Sequence, residues 1–269
     1  MRVRHFSCMT LQVSILVLAV LHCHAASAPM PSKAKPTVFE ATLGETVQKS
    51  PEVSTEQLKA ILARRGGVVL DARSNREFAI AHVPGSVSVE ETGFLRLVQE
   101  YPDRNTEIVV YAGGPSSEQA RQRAEDLMSL GYFRVSRYQL GLSVWRALGN
   151  AVETTTQGLR RILADGNAVL VDARSRAEYL AGTIPAAENI QASEVAAAMQ
   201  DQRLRYYDSN TRIVVFGNSA GEARAVAEEI ALNAYTNSSF FGGSYQELKR
   251  AKVFAERKPS HSNPDGPTR

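Results

Sequence analysis

The chain repeats itself, and this limits what it can fold into more than any other feature. Val68-Val69-Leu70-Asp71-Ala72-Arg73-Ser74 returns as Val169-Leu170-Val171-Asp172-Ala173-Arg174-Ser175. Glu77-Phe78 returns as Glu178-Tyr179, and Ala81-His82-Val83-Pro84-Gly85 as Gly182-Thr183-Ile184-Pro185-Ala186. Asp71 and Asp172 lie 101 positions apart, whereas Ile108 and Ile213 lie 105 apart. The second copy therefore carries four extra residues, between Gln191 and Asn210. Each copy, at roughly 100 residues, is large enough to bury a core of its own.

Within each copy helical and strand patterns alternate. Ser54 to Arg65 predicts a helix with Leu58, Ile61 and Leu62 on one face, capped by Ser54 or Thr55 and ended by Gly66-Gly67. Its counterpart runs from about Thr156 to Ala164. Val68 to Leu70, Ala168 to Val171, Ile108 to Tyr111 and Ile213 to Phe216 are apolar on both faces, as strands inside a parallel sheet are. Glu118 to Leu130 and Glu222 to Leu232 predict the helices that follow the later strands, the first closed by Gly131. The expectation is an α/β protein of two tandem domains, each a mostly parallel sheet with helices on both faces.

The ends of the chain read differently. Arg2, Arg4 and His5 precede the largely apolar run Leu11 to Leu21, with small residues at Ala25, Ala26, Ser27 and Ala28. Residues 1–25 therefore read as an export signal, and the run is shorter than the roughly 20 residues of a spanning helix. Lipidation at Cys23 is disfavoured by His22 before it. Residues 26–50 read as a polar linker, 51–153 and 154–256 as the two domains, and 257–269 as a Pro-rich tail too polar to pack. Removing the signal takes two of the 31 basic residues, leaving 29 against 28 acidic. That balance gives no reason to expect nucleic acid as a partner. The expected location is outside the cytoplasm, periplasmic or secreted.

The only cysteines are Cys8 and Cys23, both inside the signal. The chain after it has no thiolate nucleophile, no disulfide and no cysteine metal site. His82 and His261 are the only histidines beyond it, so no histidine metal site and no cofactor are expected.

The Val-Leu-Asp-Ala-Arg, Glu-Phe and Ala-His-Val-Pro-Gly-Ser runs, Leu140-Gly141, Trp145 and Phe241-Gly242-Gly243-Ser244-Tyr245 resemble the rhodanese (thiosulfate sulfurtransferase-like) domain. The resemblance covers about 200 residues and runs through the domain's order twice. It implies that the residue after each central strand is where active relatives carry a persulfide-forming cysteine. Ala112 and Gly217 stand at those positions here. The expected role is accordingly non-catalytic: a binding or scaffolding module with a protein partner outside the cytoplasm. A sulfurtransferase-related enzyme and a small-anion binder remain as alternatives.

The anion alternative rests on the first loop. Gly113, Gly114, Ser116 and Ser117 form a candidate nest of N–H donors at a helix start, with Arg121 one turn in and Arg123 nearby. Pro115 removes one donor. Ser116 and Ser117 read more simply as helix caps. In the second loop Glu222 would repel an anion. Asp71 with Arg73, and Asp172 with Arg174, read as pairs that pin the turn after a buried strand. An arginine lining a pocket is the alternative. His82 reads as a surface or turn histidine, and Trp145 as packing at the end of the first domain.

Overall fold

The computed structural model describes residues 48–115, 117–204, 211–233 and 237–254. The expected signal, most of the linker, the tail and Ser116 lie outside the described residues. Two all-parallel sheets form, with strand orders β2-β1-β3-β4 and β5-β9-β8-β6-β7. The first contains β1 (Gly67–Asp71), β2 (Val87–Ser88), β3 (Glu107–Tyr111) and β4 (Val135–Tyr138). The second contains β5 (Val152–Thr154), β6 (Ala168–Asp172), β7 (Ala187–Asn189), β8 (Arg212–Phe216) and β9 (Ser238–Phe241). The boundary drawn between residues 153 and 154 thus falls inside β5, and the second sheet begins at Val152.

Each sheet is covered on both faces because side chains alternate along a strand. In the first domain Val68, Leu70, Ile108 and Val110 pack with Ala120, Ala124 and Leu127 of α5 (Glu118–Ser129) and with Leu97 of α4 (Phe94–Glu100). Val69, Val109 and Tyr111 face the other way, onto Leu58 and Ile61 of α1 (Thr55–Arg64) and Leu142 and Trp145 of α6 (Gly141–Ala147). The short helices α2 (Asn75–Ile80) and α3 (Val89–Thr92) complete this copy. In the second domain Ile213 and Val215 pack with Ala223, Val226, Ala227 and Ile230 of α10 (Ala220–Leu232) and with Val195 and Ala198 of α9 (Val195–Gln200). Val214 and Phe216 pack with Leu159, Ile162 and Leu163 of α7 (Thr156–Ala164) and with Tyr245 and Leu248 of α11 (Tyr245–Arg250). The short helix α8 (Arg176–Ala181) follows β6.

Local signals account for most boundaries. Ser54 caps α1 by accepting from the Gln57 N–H at 3.2 Å, and the Gln57 side chain accepts from the Ser54 N–H at 2.7 Å. The helix is ended by Arg65, left-handed at φ 50°, rather than by the two glycines after it. Gly67 already belongs to β1, where a Cβ would lie 2.9 Å from the Glu107 carbonyl oxygen. Trp145 is buried and donates from Nε1 to Ala151 O at 3.1 Å, as its expected packing role requires.

The two domains are joined by backbone. The His82 N–H donates to Glu153 O at 3.0 Å and the Glu153 N–H returns to His82 O at 2.9 Å. The Thr155 N–H and Thr154 hydroxyl donate to Ala79 O at 3.0 and 3.1 Å. This corrects the expectation for His82. It is 3% exposed, stacks on Phe78 with ring centroids 3.8 Å apart, and lies at the seam between the domains. Burial pushes its pKa below the ordinary histidine value, against the opposing pull of the Glu153 carboxylate. Among the described residues no helix is long and apolar enough to cross a membrane.

Candidate functional site

In both sheets the chain reverses its order of travel between neighbouring central strands, β1 and β3 in one, β6 and β8 in the other. Loops at the carboxyl ends of such strands form the crevice in which open α/β sheets bind ligands. The loops after β3 and β8 are the two segments that the sequence singled out.

The first loop starts at Ala112, which is buried. Its carbonyls are held by the start of α6: the Leu142 N–H donates to Ala112 O and the Ser143 N–H to Gly113 O, each at 2.9 Å. Gly141, at φ +65°, lets the two segments meet, since a Cβ there would lie 2.6 Å from the Gly114 nitrogen. A Cβ on Gly114 would lie 2.7 Å from the Ser143 hydroxyl. The Ser117 N–H is spent on Gly114 O at 3.0 Å.

Ser117 stands at the N-cap of α5 but its hydroxyl makes no cap hydrogen bond. This corrects the capping role for Ser117, whose hydroxyl lies instead 3.4 Å from Gln119 Oε1. Arg121 is drawn along its own helix, 3.6 Å from both Glu118 and Glu125 carboxylates. Arg123 pairs with Asp126 at 2.9 Å. Of the candidate nest, Gly113, Gly114 and Ser117 are therefore brought together, while Arg121 is held by its own helix.

The second loop is filled from within. The Asn218 N–H donates to Glu222 Oε2 at 2.6 Å, and a Cβ on Gly217 would lie 2.7 Å from the same oxygen. The Asn218 side chain donates to Glu178 Oε1 at 2.9 Å, and Ser219 caps α10 by accepting from the Glu222 N–H. Hydrogen bonds from Ser175 and then from Asn218 hold the Glu178 carboxyl below its ordinary pKa. Glu222 does more than repel an anion. Its carboxylate accepts the loop N–H that an anion would need.

Beside each loop sits a buried ion pair. Arg73 donates from Nε to Asp71 Oδ1 at 2.9 Å and from Nη2 to Oδ2 at 2.5 Å, and also to Ala81 O at 2.6 Å. Arg174 does the same with Asp172 at 3.0 and 2.6 Å, and with Gly182 O at 2.8 Å. These contacts pin the strand-to-helix turn, as the spacing of the residues suggested. Burial works against the Arg73 charge, but the Asp71 hydrogen bonds and charge outweigh it and raise its pKa. Tyr111 donates its hydroxyl to Asp71 at 2.7 Å and lies 2.9 Å from the Ser86 hydroxyl. Burial, then the Asp71 charge, push Tyr111 well above an ordinary tyrosine pKa.

Two residues beside the first loop escaped the sequence reading, both on α6. Ser143 covers Gly114. Arg146 lies one turn further on, its Nε without a hydrogen-bond partner. Burial, with Arg212 and Arg73 adding like charge, lowers its pKa to about 10. No motif marks either, because their positions depend on how α6 returns across the loop. Among the described residues no group of three or more His, Cys, Asp or Glu side chains is placed to hold a metal ion.

The rhodanese-like domain family matches twice, at residues 54–148 and 155–251. Human thiosulfate:glutathione sulfurtransferase is 36% identical over 98 residues, 33% of this chain and 85% of that protein. Among solved structures, thiosulfate sulfurtransferase from Pseudomonas aeruginosa shares 24% identity at a TM-score of 0.35. That match covers 75% of this chain, which spans 42% of the bacterial one. A human single-domain sulfurtransferase shares 29% identity at a TM-score of 0.33, covering 36% of this chain and 95% of its own. With two copies of the domain in tandem, the chain belongs to the rhodanese-like domain family.

Proposed function

We propose that this is a non-catalytic rhodanese-like protein, an exported module that binds or scaffolds a protein partner outside the cytoplasm. One observation carries the reading. The residues that open the two loops, Ala112 and Gly217, have no side chain able to attack sulfur, and no cysteine occurs after Cys23. Ser117 does not replace it, since its hydroxyl has no base within hydrogen-bonding reach among the described residues. The joined domains support a scaffolding role by presenting one continuous surface, an argument by analogy of fold.

Thiosulfate:cyanide sulfurtransferase turnover by the purified protein tests this. The expected rate equals that of a heat-denatured control, and any excess that scales with enzyme restores the sulfurtransferase reading. Ala112→Cys is expected to restore little, because Pro115 and the α6 backbone packed on Gly114 leave the loop poor in free donors. Export is tested by the N-terminus of protein recovered outside the cytoplasm, expected after Ala25 or Ala28.

A small-anion role for the first loop is the second reading, supported by the Ser117 hydroxyl left unused by the helix cap. Sulfate, thiosulfate or phosphate would then raise the melting temperature by mass action, and Ser117→Glu would abolish the gain. No shift at millimolar anion ends that reading.

A further inference from the structure

A cavity of about 890 Å3 lies between the domains, with Lys59, Leu62 and Arg65 on one wall, Arg224 and Leu232 on the other, and Trp145 among its lining. None of the described residues of the first loop lines it, and it begins where the second loop runs into α10, at Ala220 and Gly221. The first wall comes from α1 and its C-cap, the second from the outer stripe of α10. Residues 221, 224, 228 and 232 share that stripe by helical spacing. The backbone ties at His82, Glu153, Thr154 and Thr155 join the domains that form the two walls.

The lining is apolar at one end and cationic on one side. Leu148 and Leu232, 54% and 69% exposed, are among the few large apolar side chains left in solvent, and both line this cavity. Gly149 brings them together, since a Cβ there would lie 3.1 Å from Leu232 Cδ2. A soluble protein that places such side chains around one concavity marks a binding surface rather than scattered exposure.

The charges are unequal. Arg224 pairs with Glu228 at 2.7 Å, and Glu153 lies 3.8 Å, Oε2 to Nε2, from a His82 that is neutral in the fold, so Lys59, Arg65 and Arg224 face two carboxylates. Among the described residues neither Lys59 nor Arg65 has a carboxylate within 4.0 Å, Glu56 acting on Lys59 from one turn before it, and the Lys59 ammonium lies 5.9 Å from the Trp145 ring centroid.

We propose that this interdomain cleft binds a small amphipathic organic anion, its apolar body against Leu148 and Leu232 and its acidic group on Lys59 and Arg65. Clefts of this volume at a domain junction are a common place for small ligands. The site is independent of the loop readings above, and its ligand class differs from an inorganic anion.

The test uses the full chain and anilinonaphthalene sulfonate, an aromatic sulfonate that fluoresces in apolar surroundings. Trp145 is the only tryptophan, so energy transfer from it reports dye bound nearby. Saturable binding with a rise in melting temperature is expected, because the dye then binds the folded state. Lys59→Glu with Arg65→Glu should weaken it by about tenfold or more, less so as salt is raised. Leu148→Gln with Leu232→Gln, both at exposed positions, should weaken it independently. Neutral N-phenylnaphthylamine, lacking the sulfonate, should bind the wild type more weakly. Equal affinity of the charge-reversed protein, equal affinity for the neutral dye, or binding without energy transfer from Trp145 would each overturn the assignment.

Discussion

Gly158 is where the packing of the two copies is least forgiving. It sits in the first turn of α7, against α2 of the other domain. A Cβ there would lie 1.7 Å from Ala79 O and 2.4 Å from its carbonyl carbon. The obstacle is backbone, so no side-chain rotation relieves it and the helices must part. Parting them strains or breaks the bonds that Ala79 O accepts from the Thr155 N–H and the Thr154 hydroxyl, each worth about 1 kcal/mol. Overpacking adds about 1–3 kcal/mol, and the better helix propensity of alanine returns up to about 1 kcal/mol. Gly158→Ala should therefore lose about 2–4 kcal/mol. For a chain of this size that lowers the melting temperature by roughly 5–15 °C. Thr154→Val, which removes only the hydroxyl bond, should lose about 1 kcal/mol. Urea unfolding followed by circular dichroism measures both. If Gly158→Ala melts at or above the wild-type temperature, the α2–α7 contact is not as close as described, and the rigid seam assumed for the cleft goes with it.

Other perturbations read other parts of the molecule. His82 has a lowered pKa in the fold, so the neutral form is the native one and the unfolded chain takes up the proton first. Its contribution is complete above about pH 6.5 and is lost as pH falls from there toward the folded value. His82→Gln should flatten stability between pH 7 and pH 5, by at most the ~1.4 kcal/mol per pH unit of one proton. An unchanged slope would show that His82 does not titrate with unfolding. Glu222→Ala should cost about 1 kcal/mol, since the Asn218 N–H loses its acceptor and α10 an acid in its first turn. Glu222→Gln should recover part of this, and no loss in either variant would contradict the self-filled loop.

The fold was legible because its signals are local and occur twice. Apolar four-residue runs, the Ser54 cap and the Asp-x-Arg pairs each state a boundary that the structure keeps. The loops were legible in position but less so in chemistry. Glu222 was visible as an acid at a helix start, yet that its carboxylate would fold back onto Asn218 depends on side-chain reach. Ser117 reads as a cap by type, but the cap bond also depends on the turn before it. His82 was misjudged because burial between domains leaves no trace in the residues around it. Ser143 and Arg146 were missed because their place depends on how α6 returns across the loop.

A swap between the copies shows how far a shared frame leaves chemistry free. Tyr111 occupies the end of the first central strand and Phe216 the same place in the second, so the second copy loses a buried hydroxyl beside Asp172. The bond is not lost, because Thr183 donates to Asp172 Oδ2 at 2.5 Å where Tyr111 donates to Asp71 in the first copy. Thr183 stands at the repeat position of His82, 101 residues on. Once Tyr111 satisfies Asp71, position 82 is released to the seam, and in the second copy the same position is retained by the carboxylate. Glu52 and Glu153, again 101 apart, also differ: Glu52 forms an isolated bridge with Arg137 at the edge of the first sheet, while Glu153 belongs to β5 and also ties the domains. The repeat therefore specifies where backbone goes. What a position does there depends on which neighbour has already met the local polar demand, which is why one loop is closed by a carboxylate and the other is only covered.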